Sequence, residues 1–161
     1  MHVRSYRPGD EDLLRAMTVE AFAGTSIDEN IERRFGLIHG HDWRWRKARQ
    51  FDADLAANPA GLFVAVEVVD GREQLVGYVS TRVDPEAGIG HIPHLVVAAG
   101  HRGRGIGKRL IAHALDYFRR QGLTHAQIET LEQNPIGPRL FPACGFVEVA
   151  RKIYYARALD H

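Results

Sequence analysis

A single cysteine, Cys144, is all the sulfhydryl chemistry this sequence has. One thiol cannot make a disulfide within the chain, and such scarcity fits a reducing compartment. Net charge is nearly absent too. Twenty-one basic residues against 20 acidic ones leave +1 with the histidines neutral, so no overall field draws the chain to nucleic acid or to an anionic membrane. No apolar run is long enough to span a bilayer. The opening residues, Met-His-Val-Arg-Ser-Tyr-Arg, hold no apolar signal region. The expectation is a cytoplasmic protein with neither nucleic-acid nor membrane partners. Internal repeats and low-complexity segments are missing as well. What remains is an ordinary globular composition, 45% hydrophobic and 25% charged, and a length of 161 residues that is most simply one domain, 1–161.

The most informative stretch is 91–110, HIPHLVVAAGHRGRGIGKRL. Leu95, Val96 and Val97 form the short apolar run of a buried strand. Gly103, Gly105 and Gly107 then alternate with Arg102, Arg104, Ile106 and Lys108. Beyond them Ile106, Leu110, Ile111, Ala114, Leu115 and Phe118 recur at helical spacing. Glycine allows a tight turn and a close approach of ligand to backbone. A turn opening a helix leaves N–H groups unpaired at the positive end of the helix dipole, which favours an anion. Arg102, Arg104, Lys108 and Arg109 add charge for phosphate oxygens. The residues point to a phosphorylated ligand at a strand-to-helix junction. The bland alternative is a basic turn before an amphipathic helix.

Two familiar phosphate loops do not fit. A dinucleotide fingerprint needs G-x-G-x-x-G, whereas the spacing here is G-x-G-x-G. A P-loop needs glycine where Arg102 stands and serine or threonine where Arg109 stands. The order Leu95-Val96-Val97, Arg102-Gly103-x-Gly105-x-Gly107 instead resembles the acyl-CoA signature [RQ]-x-x-G-x-[GA] of the GNAT superfamily of N-acetyltransferases. A degraded form of that family's second motif, N-x-x-A-x-x-L-Y-x-x-x-G-F, runs from Asn134 through Gly137, Leu140 and Phe141 to Gly145-Phe146. Two motifs in order, about 30 residues apart, are far more specific than one. The resemblance covers most of 1–9 and 61–157 and is weak over 25–60. It implies acetyl-CoA as acyl donor, with Leu95, Val96, Val97, Arg102, Gly103, Arg104, Gly105, Ile106, Gly107, Lys108, Asn134 and Phe141 at the cofactor.

Along the chain, 3–7 reads as a strand, and Asp10 as the cap of a helix ending near Phe22. Gly24-Thr25-Ser26 breaks that helix. Ile31, Phe35 and Ile38 suggest a short second one. Asp42 is placed to cap a third, running to about Ala57 with Trp43, Lys47, Phe51 and Leu55, before Asn58-Pro59 stops it. Runs 62–69 and 75–83 flank the turn Asp70-Gly71-Arg72, and 89–97 follows as a third strand. A helix reaches about Arg120, where Gly122 suits its C-terminal cap. A strand at 126–131, a proline-interrupted helix within 134–144, and strands at 146–150 and 153–157 complete the reading. The class is α+β. The resemblance implies a mixed, mostly antiparallel sheet with splayed central strands, flanked by helices, the acyl-pantetheine arm lying in the split.

An amine must shed a proton before it attacks a thioester, so a transferase needs a base, oxyanion donors and a route for the leaving thiolate. His91 and His94 are the candidate bases, because imidazole titrates near neutrality. Simple alternation puts them on opposite strand faces unless a bulge intervenes. The resemblance implies such a bulge and favours His91, with His94 second. Two strand histidines paired with backbone are the structural alternative. No third ligand at recognisable spacing makes a metal site of them. The resemblance also implies that backbone N–H groups near Leu95–Val97 serve the oxyanion. The family's tyrosine falls at Phe141, which cannot donate a proton. Tyr117, Tyr154 and Tyr155 are substitutes, and solvent suffices for a thiolate whose pKa is about 8.5. Cys144 raises a covalent route, whereas the resemblance implies direct transfer, and a lone cysteine is more often a small buried hydrophobe. The resemblance implies that the segment between the first two strands helps wall the acceptor site, which makes His39, His41, Trp43 and Trp45 candidates for acceptor contacts. The resulting expectation is an acetyl-CoA-dependent N-acetyltransferase acting on a small-molecule primary amine, as monomer or homodimer. The alternatives are a non-catalytic acyl-CoA-binding domain and an enzyme acting on protein or peptide amines.

Overall fold

The computed structural model describes residues 1–159. Strand β1 (His2–Ser5) is followed by α1 (Glu11–Phe22), α2 (Ile27–Phe35) and α3 (Trp43–Ala57). Strands β2 (Phe63–Val69), β3 (Arg72–Val79), β4 (Arg82–Asp84), β5 (Ile89–Ile92) and β6 (Leu95–Val97) come next. Then follow α4 (Ile106–Arg120), β7 (His125–Ile128) and α5 (Gly137–Ala143). Strands β1-β2-β3-β6 form one ladder in that order, and β4-β5-β7 form another. All pairs are antiparallel except β5 with β7. The α+β class and the open mixed sheet are as expected.

Local chemistry explains the element ends. The β2–β3 turn places Asp70 at φ 51° and Gly71 at φ 73°, the left-handed pair of a tight hairpin turn. Ser26 Oγ accepts from Asp28 N at 3.1 Å to cap α2. Asp42 Oδ1 accepts from Trp45 N at 2.9 Å to cap α3, as read from sequence. At the end of α4, Leu123 N donates to Phe118 O and Gly122 N to Arg119 O, each at 3.0 Å. This is the Schellman pattern, and Leu123 buries itself in the same core as Phe118. Asp10 departs from its expected capping role. Its carboxylate makes no cap bond; it accepts from both Arg4 terminal nitrogens at 2.8 and 3.1 Å and from Arg7 N. A bidentate, charge-assisted pair outcompetes a single neutral amide.

Two apolar layers hold the sheet. Leu14 of α1 and Phe51 of α3 bury Val64, Val66, Tyr78 and Val96 on one face. Ile106, Leu110, Ala114 and Phe118 of α4 bury Ala65, Val76, Val79 and Ile92 on the other.

The expected strands 75–83 and 89–97 are each interrupted. The first breaks at Ser80-Thr81 and the second at Pro93-His94. Proline has no N–H for the ladder. Ser80 N donates to His94 O at 2.9 Å, and Ser80 Oγ accepts His94 N at 3.0 Å. Across the break the strand exchanges faces: Ile92 belongs to the α4 core and Val96 to the α1–α3 core.

The expected strand at 126–131 stops at Ile128. The expected strands 146–150 and 153–157 do not form. Val147, Val149, Ile153 and Tyr155 all lie exposed. Alternation predicts pairing only where a face becomes buried, and these side chains reach none.

Candidate functional site

Strand β6 is hydrogen-bonded on one edge only, to β3, through Gly77↔Val97 and Val79↔Leu95. β7 pairs instead with β5, through Ile89↔His125 to Ile92↔Ile128. The two central strands therefore part after Ile92 and Ile128, and among the described residues the outer edge of Leu95–Val97 carries no strand partner.

Beyond Val97 the chain turns through Ala99–His101 and enters α4. Gly103 (φ 78°) and Gly105 (φ 80°) adopt the left-handed conformation that glycine takes without strain. Gly105 holds the N-cap position. The helical ladder opens with Arg109 N donating to Gly105 O at 3.2 Å, so the amides of Ile106, Gly107 and Lys108 precede it and face outward at the helix N-terminus. Arg102 Nε donates to Val97 O at 3.3 Å and ties the turn to β6. Arg104 and Lys108 are exposed, Arg104 with Glu67 at 3.6 Å. Arg109, the fourth basic residue of the stretch, is turned away, donating to Met1 O at 3.2 Å. Gly107 sits where a Cβ would come within 3.1 Å of Leu140 Cδ2, and within 4.0 Å of Leu95 and Val97 side-chain atoms. The structure thus brings together β6, the turn and α5, with Leu140 an added member.

Asn134 precedes α5 and Phe141 lies on it. Asn134 Nδ2 donates to Thr130 Oγ1, and its Oδ1 accepts from Ile136 N, both at 3.0 Å. Phe141 packs edge-on to Phe146 at 6.2 Å. The tyrosines expected as substitutes differ in their surroundings. Tyr117 is buried and shares hydrogen bonds with Asn58, while Tyr154 and Tyr155 lie exposed. Burial pushes the Cys144 thiol up, against the pull of Lys108, which disfavours the thiolate that a covalent route needs.

The strand break settles how the histidines lie. Gly90 and Ile92 face α4: a Cβ on Gly90 would meet the Phe118 ring at 2.5 Å. His91 therefore faces the α1–α3 side. His94 is on that side too, with its ring edge-on to Phe22 of α1 at 5.3 Å. Both histidines share one face because the chain bulges between them. His91 is half-buried, and its side chain makes no hydrogen bond among the described residues. His94 is only 6% exposed, and its Nδ1 lies 2.5 Å from Asp54 Oδ2. Asp54 Oδ1 accepts from Arg82 at 2.8 Å, and Ser80 Oγ donates to Oδ2 at 3.4 Å. Burial is the strongest influence on His94 and pushes it below the usual histidine range. The bond to Asp54 opposes this, while Lys47 and Arg82 add to it. Burial would raise the Asp54 carboxyl, but His94 and Arg82 together hold it below its usual range.

Lys47 belongs to the same cluster. It is 7% exposed, lies 3.9 Å over the Phe22 ring and donates to Gln50 Oε1 at 2.9 Å. Burial brings its pKa down to about 8, against the pull of Asp28 and Asp54. Sequence reasoning passed over Asp54, Ser80 and Arg82. The available signal was Asp54 itself, a carboxylate one and two helical turns after Phe51 and Lys47, on the buried stripe of α3. Of the expected acceptor contacts, Trp43 is buried in the helix layer. Trp45 is exposed and stacks on His41 at 3.5 Å with Arg49 4.6 Å away, and His39 occupies an exposed turn at φ 50°. A cleft of about 630 Å³ between α1 and α3 is lined by Ala16, Val19, Trp43 and Ala48 and includes neither the turn nor the histidines.

A family model for the acetyltransferase (GNAT) family matches residues 25–146. A mycothiol acetyltransferase of Tsukamurella paurometabola is 31% identical over 169 aligned positions, which cover 97% of this chain and 51% of that protein. N-alpha-acetyltransferase 30 of Saccharomyces cerevisiae is 28% identical over 101 positions, 60% of this chain and 57% of that protein. The chain spans about half the length of the curated relatives it matches. Among solved structures, the PaiA N-acetyltransferase of Thermoplasma acidophilum, in complex with coenzyme A, superposes with a TM-score of 0.66. The identity is 17%, over 88% of this chain and 86% of that one.

Proposed function

This chain belongs to the acetyltransferase (GNAT) family, and on that premise we propose that it is an acetyl-CoA-dependent N-acetyltransferase. It transfers the acetyl group to a primary amine of a small molecule by direct attack. One observation carries the reading: a strand whose outer edge is unpaired among the described residues, Leu95–Val97, leads through Ala99–His101 into a left-handed glycine turn that opens a 15-residue helix. The pairing edge suits an amide-bearing arm, and the helix N-terminus suits its phosphates. Exposed Arg102, Arg104 and Lys108 surround that terminus and fit the charge of a pyrophosphate.

When bound, acetyl-CoA supplies an activated acetyl thioester. The chain's own residues do the rest. Backbone N–H groups at the β6 edge face the developing oxyanion. A histidine on the α1–α3 face, His91 or His94, receives the amine proton. Solvent protonates the thiolate, since Phe141 has no hydroxyl to give. The small-molecule acceptor is supported by the relatives named for mycothiol; the yeast relative named for α-amino groups supports a peptide acceptor instead. Phe141 supports a second reading, an acyl-CoA-binding domain without turnover.

Titration calorimetry with CoA, and thiol release from acetyl-CoA over a panel of amines, test both. Gly105→Asp places a carboxylate at the helix N-terminus and is expected to abolish the binding heat; equal heats from both proteins refute the phosphate site. Binding without thiol release from any amine selects the second reading.

A further inference from the structure

We propose that Asp54 is a positioning residue that holds His94 as the proton acceptor of the transfer, with His94 Nε2 presented to the incoming amine. The proposal rests on the transferase reading above and assigns the base within it.

An ionised carboxylate can only accept hydrogen bonds. The 2.5 Å contact between His94 Nδ1 and Asp54 Oδ2 therefore puts the neutral ring's proton on Nδ1 and leaves a lone pair on Nε2. Buried side-chain nitrogens without a partner are Arg4 Nε and His101 Nδ1 among the described residues. His94 makes its side-chain hydrogen bond through Nδ1, Nε2 has no protein partner among the described residues, and the residue keeps 6% of its surface exposed. The rest of the residue is held on every side. Ser80 binds its backbone N–H and its carbonyl, and Phe22 packs on the ring. Arg82 fixes the second oxygen of Asp54. His94 immediately precedes Leu95, at the point where the sheet opens. His91 lies earlier on β5, and among the described residues no hydrogen bond orients its ring.

The groups facing His94 agree with this role. Asp54 and Lys47 come from α3, Arg82 from β4 and Phe22 from α1. Burial and two cations keep the imidazole neutral at rest, and Asp54 stabilises the imidazolium once it forms. In the step itself the amine nitrogen bonds to the thioester carbonyl carbon and the C–S bond breaks. Nε2 takes the amine proton, the thiolate leaves, and the imidazolium returns its proton through solvent to the thiolate. The products are an amide and a free thiol.

The test uses Asp54→Asn, His94→Gln and His91→Ala in the full chain. It pairs pH profiles of kcat and KM with nitrogen-15 spectra of histidine-labelled protein. The spectra of wild type are expected to show a His94 Nδ1–H tautomer, a result that needs neither turnover nor a stable variant. Asp54→Asn and His94→Gln are expected to lower kcat roughly 10²–10⁴-fold with KM for acetyl-CoA unchanged. In Asp54→Asn the ascending limb moves to lower pH, because support for the imidazolium is gone; His91→Ala keeps the limb. A proton on Nε2 in wild type, an unmoved limb in both His94-side variants, or a limb lost in His91→Ala overturns the proposal. A wild type that turns over no amine overturns the transferase reading and this proposal together, whereas an active wild type with an unmoved limb overturns this one alone.

Discussion

Ser80 and His94 hold each other across two facing strand breaks. Ser80 N–H donates to His94 O at 2.9 Å, and His94 N–H donates to Ser80 Oγ at 3.0 Å. A side-chain hydroxyl thereby stands in for the ladder acceptor that the interrupted strand has lost. This exchange lets the chain change faces between Ile92 and Val96 without orphaning a buried amide.

Replacing Ser80 by alanine leaves the His94 N–H buried and unpaired. The expected cost is about 1–3 kcal/mol, read as a lower urea midpoint with an unchanged slope. A midpoint equal to wild type would mean the amide finds another acceptor.

Gly77 allows β3 and β6 to approach. A Cβ there would stand 2.6 Å from the Val96 carbonyl oxygen, a backbone atom that cannot swing aside. Gly77→Ala is expected to displace β6 and with it the turn that follows. Thermal unfolding should fall by several degrees and CoA affinity should fall with it. Retained affinity at lowered Tm would separate strand packing from the phosphate site.

Lys47 carries a penalty that pH can lift. Its folded pKa is about 8 against 10.5 for the ordinary side chain, and burial is the main cause. Between those values the unfolded chain binds more protons, so stability rises with pH there. Below pH 8 the penalty stands in full, at roughly 2–4 kcal/mol. Lys47→Met, similar in volume, is expected to be more stable than wild type at pH 7 and to lose that advantage toward pH 10.5. Parallel stability curves for the two proteins across this range would refute the assignment.

Phe141→Tyr adds only a hydroxyl to a half-buried ring beside Phe146. Folding should be preserved. If thiolate protonation limits turnover, kcat rises; an unchanged kcat in stopped-flow and steady-state assays assigns the limit to another step.

Local patterns were enough for much of this protein. The glycine spacing after Leu95–Val97 marked the strand–turn–helix, and Asp42, Asp70-Gly71 and Gly122 marked element ends, because these depend on neighbours within a few residues. Alternation over 75–83 and 89–97 concealed the breaks, since a bulge is set by what two strands exchange across the gap. The same pattern over 146–157 promised strands that have no buried face to occupy. His91 and His94 were legible as histidines on a strand. Which face each occupies, and which one has an aspartate behind it, depended on Asp54, 40 residues away on a helix of another layer. Periodicity reports the direction of side chains within one element. Only packing brings α3 over the break in the sheet and decides which imidazole nitrogen is free.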